Sequence, residues 1–278
     1  MANRSKNRRP LHWIFAYAII AAVTIISAPA FGQQRIHDAA NLALGEIPIL
    51  PTPSSFVLNP ALLANTTGRI ACATAYRPFG VSEMTHYTIG GSTFGERFGF
   101  GAVVASTGDE TMSEARGSIG GAGRISSNLS VGVVARITRI SVPSVGSATA
   151  AAVTVGVLLT PLKPLMFGAS VDGASRSVHG DLVWSEPRST YLAATYRISD
   201  ALTLHTGAAR DAWRGWSHSV ALEVFPRPWF ILRLGRTGGP DGVTGGLEYR
   251  GDRYRIAYGT RLHRELDATH AVTFSINQ

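Results

Sequence analysis

The sequence predicts an all-β chain: a transmembrane antiparallel β-barrel of about fourteen strands behind a short N-terminal segment. Three observations predict it. An export signal opens the chain, and no later apolar run is long enough for a membrane helix. Period-two alternation runs from about residue 69 to the end. The connections alternate between tight turns and longer loops.

Residues 1–30 read as a signal peptide. Arg4, Lys6, Arg8 and Arg9 form a basic start, Ile14 to Ile26 an apolar centre, and Ala28-Pro29-Ala30 a small-residue cleavage pattern. The centre is shorter than the roughly 20 residues a helical span needs. Cleavage follows Ala30, or Gly32 if Ala30-Phe31-Gly32 is read instead. Protein extracted from membranes should therefore begin at Phe31 or Gln33. An intact Met1 or Ala2 in N-terminal mass spectrometry would contradict export by this route. No cysteine lies near the junction, so a lipid-anchored N-terminus is not expected.

The signal holds four of the 26 Lys+Arg and none of the 18 Asp+Glu, so the remaining chain carries about +4. That balance is too mild to argue for a nucleic-acid partner. Cys72 is the single cysteine, which excludes an intramolecular disulfide and suits a small packing residue in a strand.

The strands follow from alternation. Between Asn128 and Arg139, Leu129, Val131, Val133, Ala135 and Ile137 share one face, while Ser130, Gly132, Val134, Arg136 and Thr138 lie on the other. Between Trp229 and Arg236, Phe230, Leu232 and Leu234 oppose Ile231, Arg233 and Gly235. Segmented this way, strands fall near 69–77, 84–92, 97–106, 113–125, 128–139, 148–160, 165–172, 189–198, 201–210, 217–225, 229–237, 242–250, 252–262 and 269–277. The number is even, and every proline after residue 67 falls in a connection or at a strand edge.

Ser126-Ser127, Ser199-Asp200, Pro226-Arg227-Pro228 and Gly251-Asp252 are tight turns. Ile140–Ser147, Gly173–Arg188, Asp211–Trp216 and His263–Ala268 are longer loops between them. In a barrel of the bacterial outer membrane, the turns are periplasmic and the loops extracellular. Outer-membrane lipid is then the first partner. Tyr76, Tyr191, Tyr249, Tyr254 and Trp229 near strand ends read as interfacial aromatics.

The chain divides into 1–30, a segment over 31–68, and a barrel over 69–278. From Gln33 to Gly68, four prolines interrupt the pattern, and the segment is expected either to plug the lumen or to hang as a periplasmic tail. Asp38 to Leu44 suits one or two helical turns.

Within that segment, Asn59-Pro60-Ala61 stands just before the first strand. Pro60 favours extended backbone at Asn59, whose side chain can bond its own backbone and start a turn, with Leu62 and Leu63 packing inward. Near the end come Gly245-Gly246-Leu247-Glu248-Tyr249, Tyr254-Arg255-Ile256-Ala257-Tyr258-Gly259 and a last strand opened by Thr269-His270. Together these resemble the PorV/PorQ-like outer-membrane proteins of the FadL-like β-barrel group, over roughly residues 54–278.

The resemblance implies an accessory of type IX protein secretion, with secreted proteins or secretion-machinery components as partners. The alternative it implies is a FadL-like channel for hydrophobic small molecules. In the secretion reading, Trp184, Trp213 and Trp216 are the expected outer-loop contacts, because Trp anchors dominate interface energies. Since first and last strands pair in a closed barrel, the motif is expected beside that seam.

Glu223, Arg233, Glu248 and Arg255 alternate in sign on four consecutive expected strands, each a few residues from a tight turn. They are expected to point into the lumen as a charge ladder, with Leu232 facing lipid and Glu248 opposite Arg255 across the Gly251-Asp252 turn. A solute-selecting role is the functional alternative.

Enzyme chemistry is not expected. Ser217-His218-Ser219 has no evident carboxylate to orient the imidazole, the eight histidines show no metal-ligand spacing, and Gly117–Gly123 lacks the strand-to-helix setting of a phosphate loop. No cofactor is implied.

Overall fold

The computed structural model describes residues 38–278 apart from 53, 66–67, 96, 144, 174, 181–184, 187, 212–214 and 239–241. The signal peptide therefore lies outside the described residues.

All fourteen expected strands form. They are β1 (Gly68–Arg77), β2 (His86–Phe94), β3 (Phe98–Gly108), β4 (Ser113–Arg124), β5 (Leu129–Val142), β6 (Gly146–Leu162) and β7 (Leu165–Asp172). After two short strands, β8 (Ser175–Gly180) and β9 (Ser185–Glu186), come β10 (Ser189–Ser199), β11 (Leu202–Asp211), β12 (Gly215–Arg227), β13 (Phe230–Thr237), β14 (Gly242–Arg250), β15 (Tyr254–Leu262) and β16 (Thr269–Asn277). Every pairing is antiparallel, and around the barrel it joins chain neighbours with two exceptions. β7 pairs with β10 across the β8/β9 excursion, and β1 pairs with β16 from Ile70↔Asn277 to Arg77↔His270, which closes the barrel. Closure leaves no open edge, as a span through hydrocarbon requires.

β8 adds itself to the far end of β6, and β9 to β8. The stretch read as one long outer loop thus carries a short ribbon that extends the wall on the extracellular side.

Alternation decides which face meets lipid. Along β16, Val272, Phe274 and Ile276 are exposed while Ala271, Thr273 and Ser275 are buried. Leu232 is 39% exposed and its neighbour Arg233 only 2%. The exterior carries Ile89, Phe100, Val104, Ile119, Val133, Ile137 and Leu234 as exposed apolar side chains. An apolar belt around a closed barrel is the architecture of a bacterial outer-membrane protein. Leu232→Arg puts a charge on the lipid face and is expected to destabilise the barrel, by less than the about 2–4 kcal/mol of a midplane site because Leu232 lies two residues from the periplasmic end of β13. It should show as a lower temperature for loss of the folded, fast-migrating gel band, and an unshifted band would place Leu232 off the lipid face.

Two aromatics depart from expectation. Tyr76 and Tyr191 are buried inside the barrel, whereas Trp229, Tyr249 and Tyr254 are exposed together at the periplasmic rim. Position near a strand end does not distinguish the faces. Parity does, since Tyr76 shares its face with Cys72 and Thr74.

Candidate functional site: a plugged lumen above a charged vestibule

Residues 38–65 lie inside the barrel. The short helix α1 (Ala39–Ala43) begins at Asp38, whose carboxylate accepts the Asn41 N–H at 2.8 Å. The same carboxylate accepts the Ser54 hydroxyl at 2.6 Å and the Thr52 hydroxyl, which ties the start of the segment to its middle. Such charge-assisted bonds are the strong kind, and here they replace water inside the lumen.

From there the segment runs as turns. Phe56, Leu42, Leu44, Ile47, Ile49, Leu62 and Leu63 are among the largest fully buried side chains of the protein. They form three apolar clusters with the wall. Phe56, Val57 and Leu63 pack with Phe94, Val103, Ala122 and Val134 of β2–β5. Leu44, Ile47, Ile49 and Leu62 pack with Leu158, Ala193 and Ala221 of β6, β10 and β12. Ala39 and Leu42 pack with Tyr76, Ala257 and Ala271 of β1, β15 and β16. Burying each large side chain is worth about 1.5–3 kcal/mol. The segment is therefore a plug, and the tail alternative is set aside.

The wall makes room for it with glycine. A Cβ on Gly99 would lie 1.7 Å from the Leu63 carbonyl oxygen, and one on Gly259 would lie 2.2 Å from that of Ala39. Polar groups add anchors: the Thr244 and Ser219 hydroxyls donate to the Ala43 and Gly45 carbonyls at 2.9 and 2.8 Å, and Arg261 pairs with Glu46.

Asn59-Pro60-Ala61 performs its expected local task. Asn59 is extended, accepts the Ala61 N–H at 3.2 Å, and starts a 3-10 turn over Pro60–Ala64 with Pro60 in the first position. Its location corrects the expectation. The motif does not sit beside the β1–β16 seam but against β5, β6 and β7. A Cβ on Gly132 would meet Pro60, one on Gly156 would meet the Asn59 amide, and Asn59 Nδ2 donates to the Val157 carbonyl at 3.4 Å. Closeness in sequence to β1 misled, because the plug crosses the lumen before β1 begins.

The charge ladder exists with one substituted member. Arg233 Nε donates to Glu223 Oε2 at 2.7 Å, and its Nη2 to Glu248 Oε2 at 2.8 Å. Glu248 Oε1 accepts from Arg250 Nε at 2.6 Å. Arg255 is not part of it. Glu248 opposes Ala257, while Arg255 opposes Arg250 and reaches the Asn277 side-chain oxygen at 2.9 Å. The β14–β15 connection is longer than a two-residue Gly251-Asp252 turn: Arg250↔Arg255 is the last pair, and Gly251 N–H bonds the Tyr254 carbonyl. That slips the register by two residues, which changes partners but keeps faces, so Arg255 still points inward. Arg250 was legible as a member, being two residues past Glu248 on the same face.

Trp184 and Trp213 lie outside the described residues. Trp216 is not in a loop. It is the second residue of β12, shares the lipid-side face with Leu222, and has the Arg210 guanidinium 6.0 Å from its ring.

Below the plug, a cavity of about 540 Å³ opens toward the periplasmic turns. Leu50, Pro51, Leu62 and Asn65 of the plug form its ceiling. Its walls include Thr195, His205, Glu223 and Arg250, and Lys163 and Asp200 stand at its mouth.

No protein-family model and no curated protein sequence matches the chain. Solved structures do match in fold. The toluene transporter TodX of Pseudomonas putida is 13% identical, with a TM-score of 0.67 over 90% of this chain and 99% of that one. The monoaromatic hydrocarbon channel CymD is 13% identical, with a TM-score of 0.66 over 86% and 96%. A FadL homologue of Pseudomonas aeruginosa is 14% identical, with a TM-score of 0.62 over 86% and 97%. The chain thus has the fold of the FadL-like outer-membrane barrels.

Proposed function

We propose that this barrel passes hydrophobic small molecules across the bacterial outer membrane and performs no catalysis. The observation that carries the reading is the apolar packing between plug and wall. A water-filled pore keeps a polar lumen, whereas here Leu, Ile and Phe side chains of the plug meet apolar wall residues in three clusters. A path along the interface of plug and wall suits solutes that leave water readily. The similar structures described as hydrocarbon channels support this reading over secretion. The ladder serves as wall structure below that path, since its charges are spent on one another.

With the plug seated, passage requires part of residues 38–65 to shift. Intact cells of a strain lacking other such channels, with a lipopolysaccharide outer leaflet, supply the test. Expression of the protein should raise initial uptake of labelled butylbenzene severalfold and leave a sugar of similar size unchanged. Equal uptake of butylbenzene with and without correctly inserted protein would remove the proposal.

A further inference from the structure

The outer face of the wall carries a charge pattern that passage through the lumen does not use. Among the described side chains, the acids of the wall strands, Glu114, Asp172, Glu223 and Glu248, all lie on the lumen phase. Arginine does not follow that rule. On β11, β12 and β13, Arg210, Trp216, His218 and Arg236 take the outward phase, each within three residues of an extracellular strand end. Arg236 follows the exposed Leu232 and Leu234 on the lipid side of β13, and Arg210 is out of phase with the buried Thr203 and His205 of β11.

Strand register brings these residues together. Arg210 pairs with Trp216, and Arg236 with Val220, so His218 is the diagonal neighbour of both arginines. Diagonal neighbours stand about 7–8 Å apart. Arg210, His218 and Arg236 thus form one oblique row across three strands, with the two arginines roughly 15 Å apart at the backbone. The Arg210 guanidinium lies 6.0 Å from the ring of Trp216, which is 41% exposed. That contact uses the ring face and leaves the guanidinium able to donate N–H bonds.

Neither arginine forms an ion pair among the described residues. A cation on the lipid face is costly in hydrocarbon and tolerated at the headgroup level, where an anion offsets its charge. Trp216 stands at the outer interface of β12, and Trp229 lies just past its periplasmic end. The row therefore faces the headgroups of the outer leaflet.

We propose that it is a binding site for a phosphorylated glycolipid of that leaflet, of the lipid A class, whose sugar headgroup carries two phosphates. Each guanidinium takes one phosphate through paired N–H bonds. His218, which keeps an N–H in either charge state, donates to oxygens between them. Trp216 lies against the sugar, and the acyl chains run down the apolar face over Leu222, Leu232 and Leu234. The spacing of the arginines fits two phosphates on one headgroup better than the single phosphate of a glycerophospholipid. The site is on the outside of the barrel and stands independently of what crosses the lumen.

The test titrates the purified full-length barrel, in detergent without divalent cations, with bisphosphoryl lipid A, monophosphoryl lipid A and phosphatidylglycerol. Native mass spectrometry counts the bound lipid. Bisphosphoryl lipid A should bind at least tenfold more tightly than phosphatidylglycerol and severalfold more tightly than the monophosphoryl form. Arg210→Gln with Arg236→Gln should weaken bisphosphoryl lipid A about tenfold and abolish its margin over the monophosphoryl form. Arg69→Gln removes an outward arginine at the periplasmic end of β1 and should change neither. The folded, fast-migrating gel band checks each variant, and the comparison of lipids on wild type needs no variant. Equal affinity of wild type for bisphosphoryl lipid A and either other lipid would overturn the site. So would a folded double variant that binds like wild type, or a loss in Arg69→Gln as large as in the double variant, which would reduce the effect to net charge.

Discussion

Arg233→Met is expected to destabilise the barrel by about 3–5 kcal/mol, the cost of breaking a buried ion pair by removing one partner. Arg233 holds two carboxylates at once, Glu223 at 2.7 Å and Glu248 at 2.8 Å, and all three side chains are buried. Methionine fills most of the volume and answers neither charge. Glu248 keeps Arg250, so the heavier loss falls at Glu223, which has no other ion pair among the described residues. The second step identifies the cause. Adding Glu223→Gln to Arg233→Met should restore part of the loss, because the stranded charge is gone. The measurement is the temperature at which the folded gel band disappears. If the single variant melts with wild type, or the double variant melts lower than the single, the ladder does not hold the wall as described.

The second large effect is expected at the plug's footprint. Gly99→Leu places a side chain where the Leu63 carbonyl now sits, and Gly259→Leu where that of Ala39 sits. The obstruction is backbone, so no rotamer change relieves it. The strands themselves are paired independently of the plug, Gly99 with Phe94 and Ala122, and Gly259 with Gly246 and Ala271. The barrel should therefore still form while the plug is unseated. In planar bilayers, wild type should show little ionic current, and either variant should show channels of severalfold larger conductance. A variant with an intact folded band and wild-type current would mean that the plug does not stopper the lumen.

Much of this molecule was legible in its sequence. All fourteen barrel strands fall where alternation and prolines place them, with bounds shifted by three residues at most. The Leu232/Arg233 face assignment holds because a half-buried strand has only two phases, and a charged residue next to a leucine chooses between them. Registers were less legible. The β14–β15 turn is two residues longer than Gly251-Asp252 suggests, and face patterning is blind to a slip of two. The plug's path was not legible either, since its contacts join residues such as Ala39 and Thr273, far apart in the chain.

One signal was available and went unused. The glycines on inward phases, Gly99, Gly132, Gly156 and Gly259, leave gaps in the lumen wall, and their shape is the plug's backbone. The aromatic positions at strand ends misled for a related reason. Tyr76 and Tyr191 lie on inward phases, where the plug and its surroundings cover them, and end-of-strand position alone says nothing about side.

The central claim is that residues 38–65 fill the lumen. Amide hydrogen exchange on the detergent-solubilised barrel, followed by mass spectrometry of peptides from 38–65, tests it most directly. Hydrogen bonds such as Leu42 N–H to the Asp38 carbonyl, Asn59 N–H to that of Ser55 and Ala39 N–H to the Thr273 hydroxyl should slow exchange to hours, close to that of the barrel strands. Exchange complete within seconds across 38–65, while the strands stay protected, would show a segment outside the lumen and contradict the account.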